Sequence, residues 1–106
     1  MALILARTLL RDGRYEDEAM ATGYADWLDS GPFDCGNTVR RAVSAMRNAP
    51  AGEKSTRGRE AASRQSQANG ALMRQSPLAI WGHALPADRL DSLARADTTL
   101  THPHEV

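Results

Sequence analysis

Apolar side chains in this chain recur every three or four residues, and nowhere do they alternate with period two over a useful length. That spacing is the signature of helices with one buried face. Leu3, Ile4, Leu5, Leu9 and Leu10 form the first set, apolar around most of the helix, which predicts a buried element. This helix starts at Met1 without a capping residue, as if entered part-way. Met20, Tyr24, Trp27 and Leu28 form a second stripe, and Val39, Ala42, Val43 and Met46 a third behind Asn37 as a cap. Met73, Ile80, Trp81 and Ala84 share a face interrupted by Pro77. Ser76 as cap and Pro77 as first helical residue predict two short helices meeting there. Pro86 opens a last helix carrying Leu90, Leu93 and Ala94. The fold class is all-α, a helical bundle.

The breaks between helices are equally legible. Asp12-Gly13 leads a turn, "RDGRYEDE", whose Asp12, Glu16, Asp17 and Glu18 read as solvated charges and first-turn acids. "DSGPFDCGN" is a loop rich in helix breakers. Asn48 to Gln67 is polar and nearly free of large apolar groups, so it reads as a flexible connection with one exposed helical turn around Glu60–Arg64. With 106 residues there is room for one domain.

Thirteen basic and thirteen acidic side chains cancel, so no global field favours nucleic acid or an anionic membrane. No apolar run reaches the roughly 18 residues of a membrane-spanning helix, and "MALILARTLL" lacks the basic start of a signal peptide. The one cysteine, Cys35, can make no internal disulfide and has no basic helper that would make it a nucleophile. A reducing, cytoplasmic setting is the expectation.

Two short segments carry chemistry. In "SQANGALMR", Asn69 stands where a helix cap should, and the unpaired N–H groups of the next turn could hold a phosphate. Ala68 and Gly70 are small enough for close approach, Ser66 and Asn69 add polar side chains, and Arg74 could reach a phosphate or pair with a carboxylate. The plain alternative is a cap that binds nothing. His102, in "LTHPHE", is held out of helical geometry by Pro103 and could donate to a ligand oxygen or titrate near neutral pH. Its alternative is a surface role, the reading also given to His83 and His104. Asp34, two residues before Gly36 in the breaker-rich loop, could bind a ligand hydroxyl or guanidinium, or cap the third helix.

"SQANGALMRQSPLAIW" followed by "LTHPHE" resembles the ADP-ribosylglycohydrolase family, with "MALILARTLL" and "YADWLDSGPFDCGNT" in support. The resemblance covers nearly the whole chain. It implies part of a larger orthogonal helical fold that hydrolyses the glycosidic bond between ADP-ribose and a protein side chain or small molecule. By position, Ser66, Gln67, Ala68, Asn69 and Gly70 would line the ADP-ribose phosphates. His102 would contact the ligand from the other side, and Asp34 and Gly36 would lie near the substrate end. Family members commonly use a pair of magnesium or manganese ions. Their Thr-Asp-Asp-Thr and Asp-x-Asp-Thr motifs are absent here; the Asp-Thr of "ADTTLT" sits in the wrong place and is rejected as a metal motif. Ala68 stands where the family often has glycine.

The expectation is therefore a single partial domain over 1–106 that keeps part of the ADP-ribose wall, with no catalytic or metal-ligating residue of its own and no ion bound by this chain alone. Catalysis would belong to the complete domain, with segments supplied in trans or by self-association. The alternative is a small non-catalytic helical module that binds ADP-ribose or a protein.

Overall fold

The computed structural model describes residues 1–32, 36–66 and 70–103. Seven helices follow one another among them: α1 (Ala2–Asp12), α2 (Asp17–Asp29), α3 (Asn37–Asn48), α4 (Lys54–Ala61), α5 (Gly70–Met73), α6 (Ser76–Trp81) and α7 (Ala87–Thr99). No strand occurs in the described residues. The all-α reading holds.

Helix α2 is the central element. It packs on α1, α3, α4 and α7, while α6 closes against α1 and α5 against α7. The predicted stripes supply the core. Met20 and Tyr24 from α2, Leu5 and Leu9 from α1, and Val43 and Met46 from α3 are completely buried, joined by Leu78 and Leu100. Gly13 ends α1 in the left-handed region, φ 68°, and its N–H closes on the carbonyl of Leu9. A side chain would strain that backbone, so Asp12-Gly13 is a C-cap as well as a turn.

Several details differ from the sequence reading. Helix α1 is buried along one face only: Leu5, Thr8 and Leu9 are inside, whereas Leu3 and Leu10 stand exposed. Met73 and Ile80 are exposed too, and the apolar side chain of α6 that is buried is Leu78. Gly36 occupies the cap position of α3 and Gln75 that of α6, each one residue before the expected cap.

The largest difference lies in the polar connection. Helix α4 occupies Lys54–Ala61, ahead of the expected turn at Glu60–Arg64, and it packs on α3 and α2. It does so without large apolar side chains. A β-carbon on Gly58 would lie 2.4 Å from Met46 Cε and 2.7 Å from Met46 Cγ, so the missing side chain is what admits the methionine. Polar ties complete the joint. Glu18 on α2 is no solvated acid: its carboxylate accepts the backbone N–H groups of Lys54 and Ser55 at 2.8 and 2.9 Å, capping α4 from another helix. Lys54 Nζ donates to the carbonyls of Met46 and Ala49 at the end of α3, both at 2.9 Å. Arg59 spans three helices, pairing with Asp17 at 2.9 Å and donating to the Ala96 carbonyl at 2.8 Å.

This packing makes a prediction. Alanine favours a helix interior over glycine by about 1 kcal/mol. Gly58→Ala should nevertheless lower the thermal midpoint, because Met46, fully buried, would have to give way at both Cε and Cγ. A melt of the variant at or above the wild-type midpoint would show that α4 is not seated on Met46.

Candidate functional site

Helix α7 continues its inner stripe past Leu90, Leu93 and Ala94 to Asp97, a carboxylate with no exposure at all. A charge in that position needs partners, and it has four. Arg74 Nε donates to Asp97 Oδ2 at 2.9 Å and Gln75 Nε2 to the same oxygen at 2.8 Å. Tyr24 and Tyr15 donate their hydroxyls to Oδ1, at 2.6 and 3.3 Å. The Asp97 backbone carbonyl takes a further bond from Arg74 Nη2 at 2.7 Å.

Arg74 is equally buried and equally committed. Its third nitrogen, Nη1, donates to Thr101 Oγ1 at 2.8 Å, and its guanidinium carbon lies 5.0 Å from the centre of the Tyr24 ring. Burial opposes the arginine charge, but the carboxylate of Asp97 and the neighbouring phenol outweigh it and hold the group above its ordinary value. Of the two sequence options for Arg74, phosphate or carboxylate, the structure takes the carboxylate. Burial, reinforced by the charge of Asp97, pushes both tyrosine hydroxyls up, Tyr24 and Tyr15 alike.

This hub positions His102. The chain leaves α7 through Leu100 and Thr101, and His102 is drawn inside rather than left on the surface, with 6% of its area exposed. Its Nδ1 lies 2.7 Å from Thr101 Oγ1. Its Nε2 is buried and has no hydrogen-bond partner among the described residues. The ring lies against Gly70, where a β-carbon would come within 3.1 Å of His102 Cε1 and 3.4 Å of Nε2. Burial, and next the positive charge of Arg74, lower the His102 pKa below its ordinary value, which favours the neutral ring.

The structure thus brings together two of the sequence-picked residues, His102 and Gly70, on a glycine that begins the single turn α5. Ser66 lies 2.8 Å from Thr38 on α3 through its hydroxyl. Gly36 caps α3 and stands exposed. Asp34, Gln67, Ala68 and Asn69 lie outside the described residues, as does His104. His83 is on the surface, as expected. Sequence reasoning passed over Asp97, Tyr24 and Thr101 as site-forming groups. The signal was present: Asp97 falls seven residues after Leu90 on an otherwise apolar stripe.

The model of the ADP-ribosylglycohydrolase family matches residues 1–106, and the chain belongs to that family. Among curated proteins, the ADP-ribosyl-[dinitrogen reductase] glycohydrolase of Rhodospirillum rubrum is 34% identical over 106 residues, all of this chain and 34% of that protein. The chain thus spans about a third of the length of that relative. No solved structure matches.

The family is generally metal-dependent. Among the described residues no three His, Cys, Asp or Glu converge to hold an ion, and the carboxylate of Asp97 is consumed by its four donors. A pair of dications needs several free carboxylates, so these residues do not make such a site.

The hub sets a pH dependence. Both tyrosine values are raised in the folded chain, so the unfolded chain releases its phenol protons first, near pH 10. Stability should be intact below about pH 10 and fall above it, by up to about 1.4 kcal/mol per pH unit for each tyrosine. Tyr24→Phe should cost about 1.5–3 kcal/mol at pH 7 through its lost bond to a charged acceptor. The same change should make the alkaline loss shallower. Denaturant melts at pH 7 to 11 measure both, and a Tyr24→Phe variant with an unchanged alkaline slope would contradict the assignment.

Proposed function

We propose that this chain forms part of the ADP-ribose-binding wall of an ADP-ribosylglycohydrolase. The complete domain hydrolyses the glycosidic bond between ADP-ribose and a protein side chain or small molecule. The observation that carries the reading is the buried Nε2 of His102, without a partner among the described residues, against Gly70 in the segment that resembles the family's phosphate-lining loop. A buried polar atom without a partner is costly unless something satisfies it. A phosphate or ribose oxygen over Gly70 would do so.

In this reading the diphosphate lies along Ser66, Gln67, Ala68, Asn69 and Gly70, with His102 as a neutral donor opposite. Asp34 and Gly36 lie toward the substrate end. Gly70 serves by absence, since any side chain there would meet both His102 and Val39. The magnesium or manganese pair belongs to the rest of the complete domain, and hydrolysis with it. The Rhodospirillum relative is named for an ADP-ribosylated protein, which supports an ADP-ribosylated substrate as the partner. No helix among the described residues is long and apolar enough to cross a membrane. A cytoplasmic protein acting on neither nucleic acid nor membrane fits the balanced charge.

A second reading has its own observation. Leu3, Leu10, Leu72, Met73 and Ile80 are all more than two-thirds exposed. Such side chains suit contact with further protein, whether a second copy or other family segments supplied in trans. The chain would then be a non-catalytic helical module with an ADP-ribose site.

ADP-ribose tests the shared core of both readings. A ligand that binds only the folded chain stabilises it by about 2.7 kcal/mol at a hundredfold excess over Kd, roughly 10–20 °C in midpoint for a domain of this size. The wild-type melt should rise with ADP-ribose, and Gly70→Val should abolish the rise. A wild-type midpoint that stays put at millimolar ADP-ribose removes the binding wall from either reading.

A further inference from the structure

We propose that Arg74 and Thr101 are positioning residues that hold His102 as a neutral imidazole with its proton on Nε2, so that the ring presents a fixed N–H donor above Gly70. The use of that donor for a ligand oxygen rests on the ADP-ribose reading; the tautomer itself does not.

The argument runs from one end of a hydrogen-bond chain to the other. A guanidinium has no acceptor, so Arg74 Nη1 must donate to Thr101 Oγ1, and it takes one lone pair of that oxygen. The partner left for the Thr101 hydroxyl is His102 Nδ1 at 2.7 Å. Two arrangements are open. If Nδ1 carried the proton, it would donate into Thr101 Oγ1, and the threonine hydroxyl would be left with a proton and no acceptor among the described residues. Thr101 is completely buried, so water could not take that proton. If instead the hydroxyl donates to a bare Nδ1, every group in the chain is satisfied. Arg74 donates, Thr101 accepts and donates, and Nδ1 accepts. The ring proton then sits on Nε2, the nitrogen that lacks a partner among the described residues.

The cationic ring is disfavoured on separate grounds. Nδ1–H would again face an oxygen that already holds the arginine, and no carboxylate among the described residues bonds to the ring. Asp97 spends its oxygens on Arg74, Gln75, Tyr24 and Tyr15. Arg74 is itself pinned by Asp97 through Nε and Nη2, which leaves Nη1 no choice of direction. The orientation of the His102 proton is thus set three side chains away, by a carboxylate that never touches the ring.

The test is a long-range proton–nitrogen correlation spectrum of the 15N-labelled 106-residue chain at pH 7, without ligand. His83→Gln and His104→Gln variants assign the His102 ring. The expected pattern is a single neutral species, Nε2 protonated and Nδ1 bare. Thr101→Val, nearly the same shape without the hydroxyl, should lose that purity and show a tautomer mixture; Thr101→Ser, which restores the hydroxyl, should recover it. A wild-type ring with its proton on Nδ1, a cationic ring, or a mixture like that of free histidine overturns the proposal. So does a Thr101→Val ring with the wild-type pattern. ADP-ribose titrations on the same samples read the other half. Thr101→Val should weaken binding about tenfold, the worth of one hydrogen bond to a charged group, and Thr101→Ser should regain most of it. The expected spectrum in a chain that ADP-ribose does not perturb would overturn the ligand's use of the donor and leave the positioning role standing.

Discussion

The Arg74–Asp97 pair is the interaction on which the rest of the structure depends. Burying two opposite charges costs several kcal/mol per ion before their attraction is counted. That cost is offset only where the geometry is good and the remaining donors and acceptors are occupied. Both conditions are met. Two nitrogens of Arg74 reach Asp97, one to the carboxylate and one to the backbone carbonyl, and three more side chains fill the carboxylate. The donors come from α2, from the turn before it and from the α5–α6 junction, whereas the acceptor rides on α7. One buried acid thereby docks the last helix on the body of the fold. It also fixes where Thr101 and His102 emerge.

Around this hub the core is built from small and flexible groups. The sequence holds few aromatic residues, and the two closest to the hub, Tyr15 and Tyr24, are used as donors as well as filler. Elsewhere close approach substitutes for bulk. Gly23 lets Ile4 of α1 come near α2, and Gly58 admits Met46 into α4. Polar side chains then lock helices whose apolar contact is thin, as Glu18, Lys54 and Arg59 do for α4.

Much of this was legible beforehand, and the reasons are physical. The stripes of α2 and α3 announce buried faces because a 3.6-residue period has no other use at that length. Gly13 and Pro77 mark breaks because their backbones permit little else where they stand. Helix α4 was hidden for the opposite reason. Its segment, Lys54–Ala61, carries neither stripe nor local cap. What starts it is a carboxylate 36 residues upstream in the chain, and what seats it is an absence at Gly58. No local pattern encodes either. At the site, Gly70 and His102 could be named as candidates, but not the fact that they touch. Of the Thr101–Arg74–Asp97 chain behind them, Arg74 was legible as a group that could pair with a carboxylate, and its partner showed only as an acid out of place on an apolar stripe.

The crowded carboxylate also says something about how sequences of this kind can drift. Asp97 could become neutral only at the expense of Arg74, which would be left charged and buried. Arg74 could go only if Asp97 and Thr101 changed their partners with it. Glutamate at 97 would push its oxygens into space that Tyr24 and Gln75 already hold. The five positions therefore behave as one character with few allowed states. Related chains should carry the whole set or replace it together, while the charged surface of the same helices varies position by position.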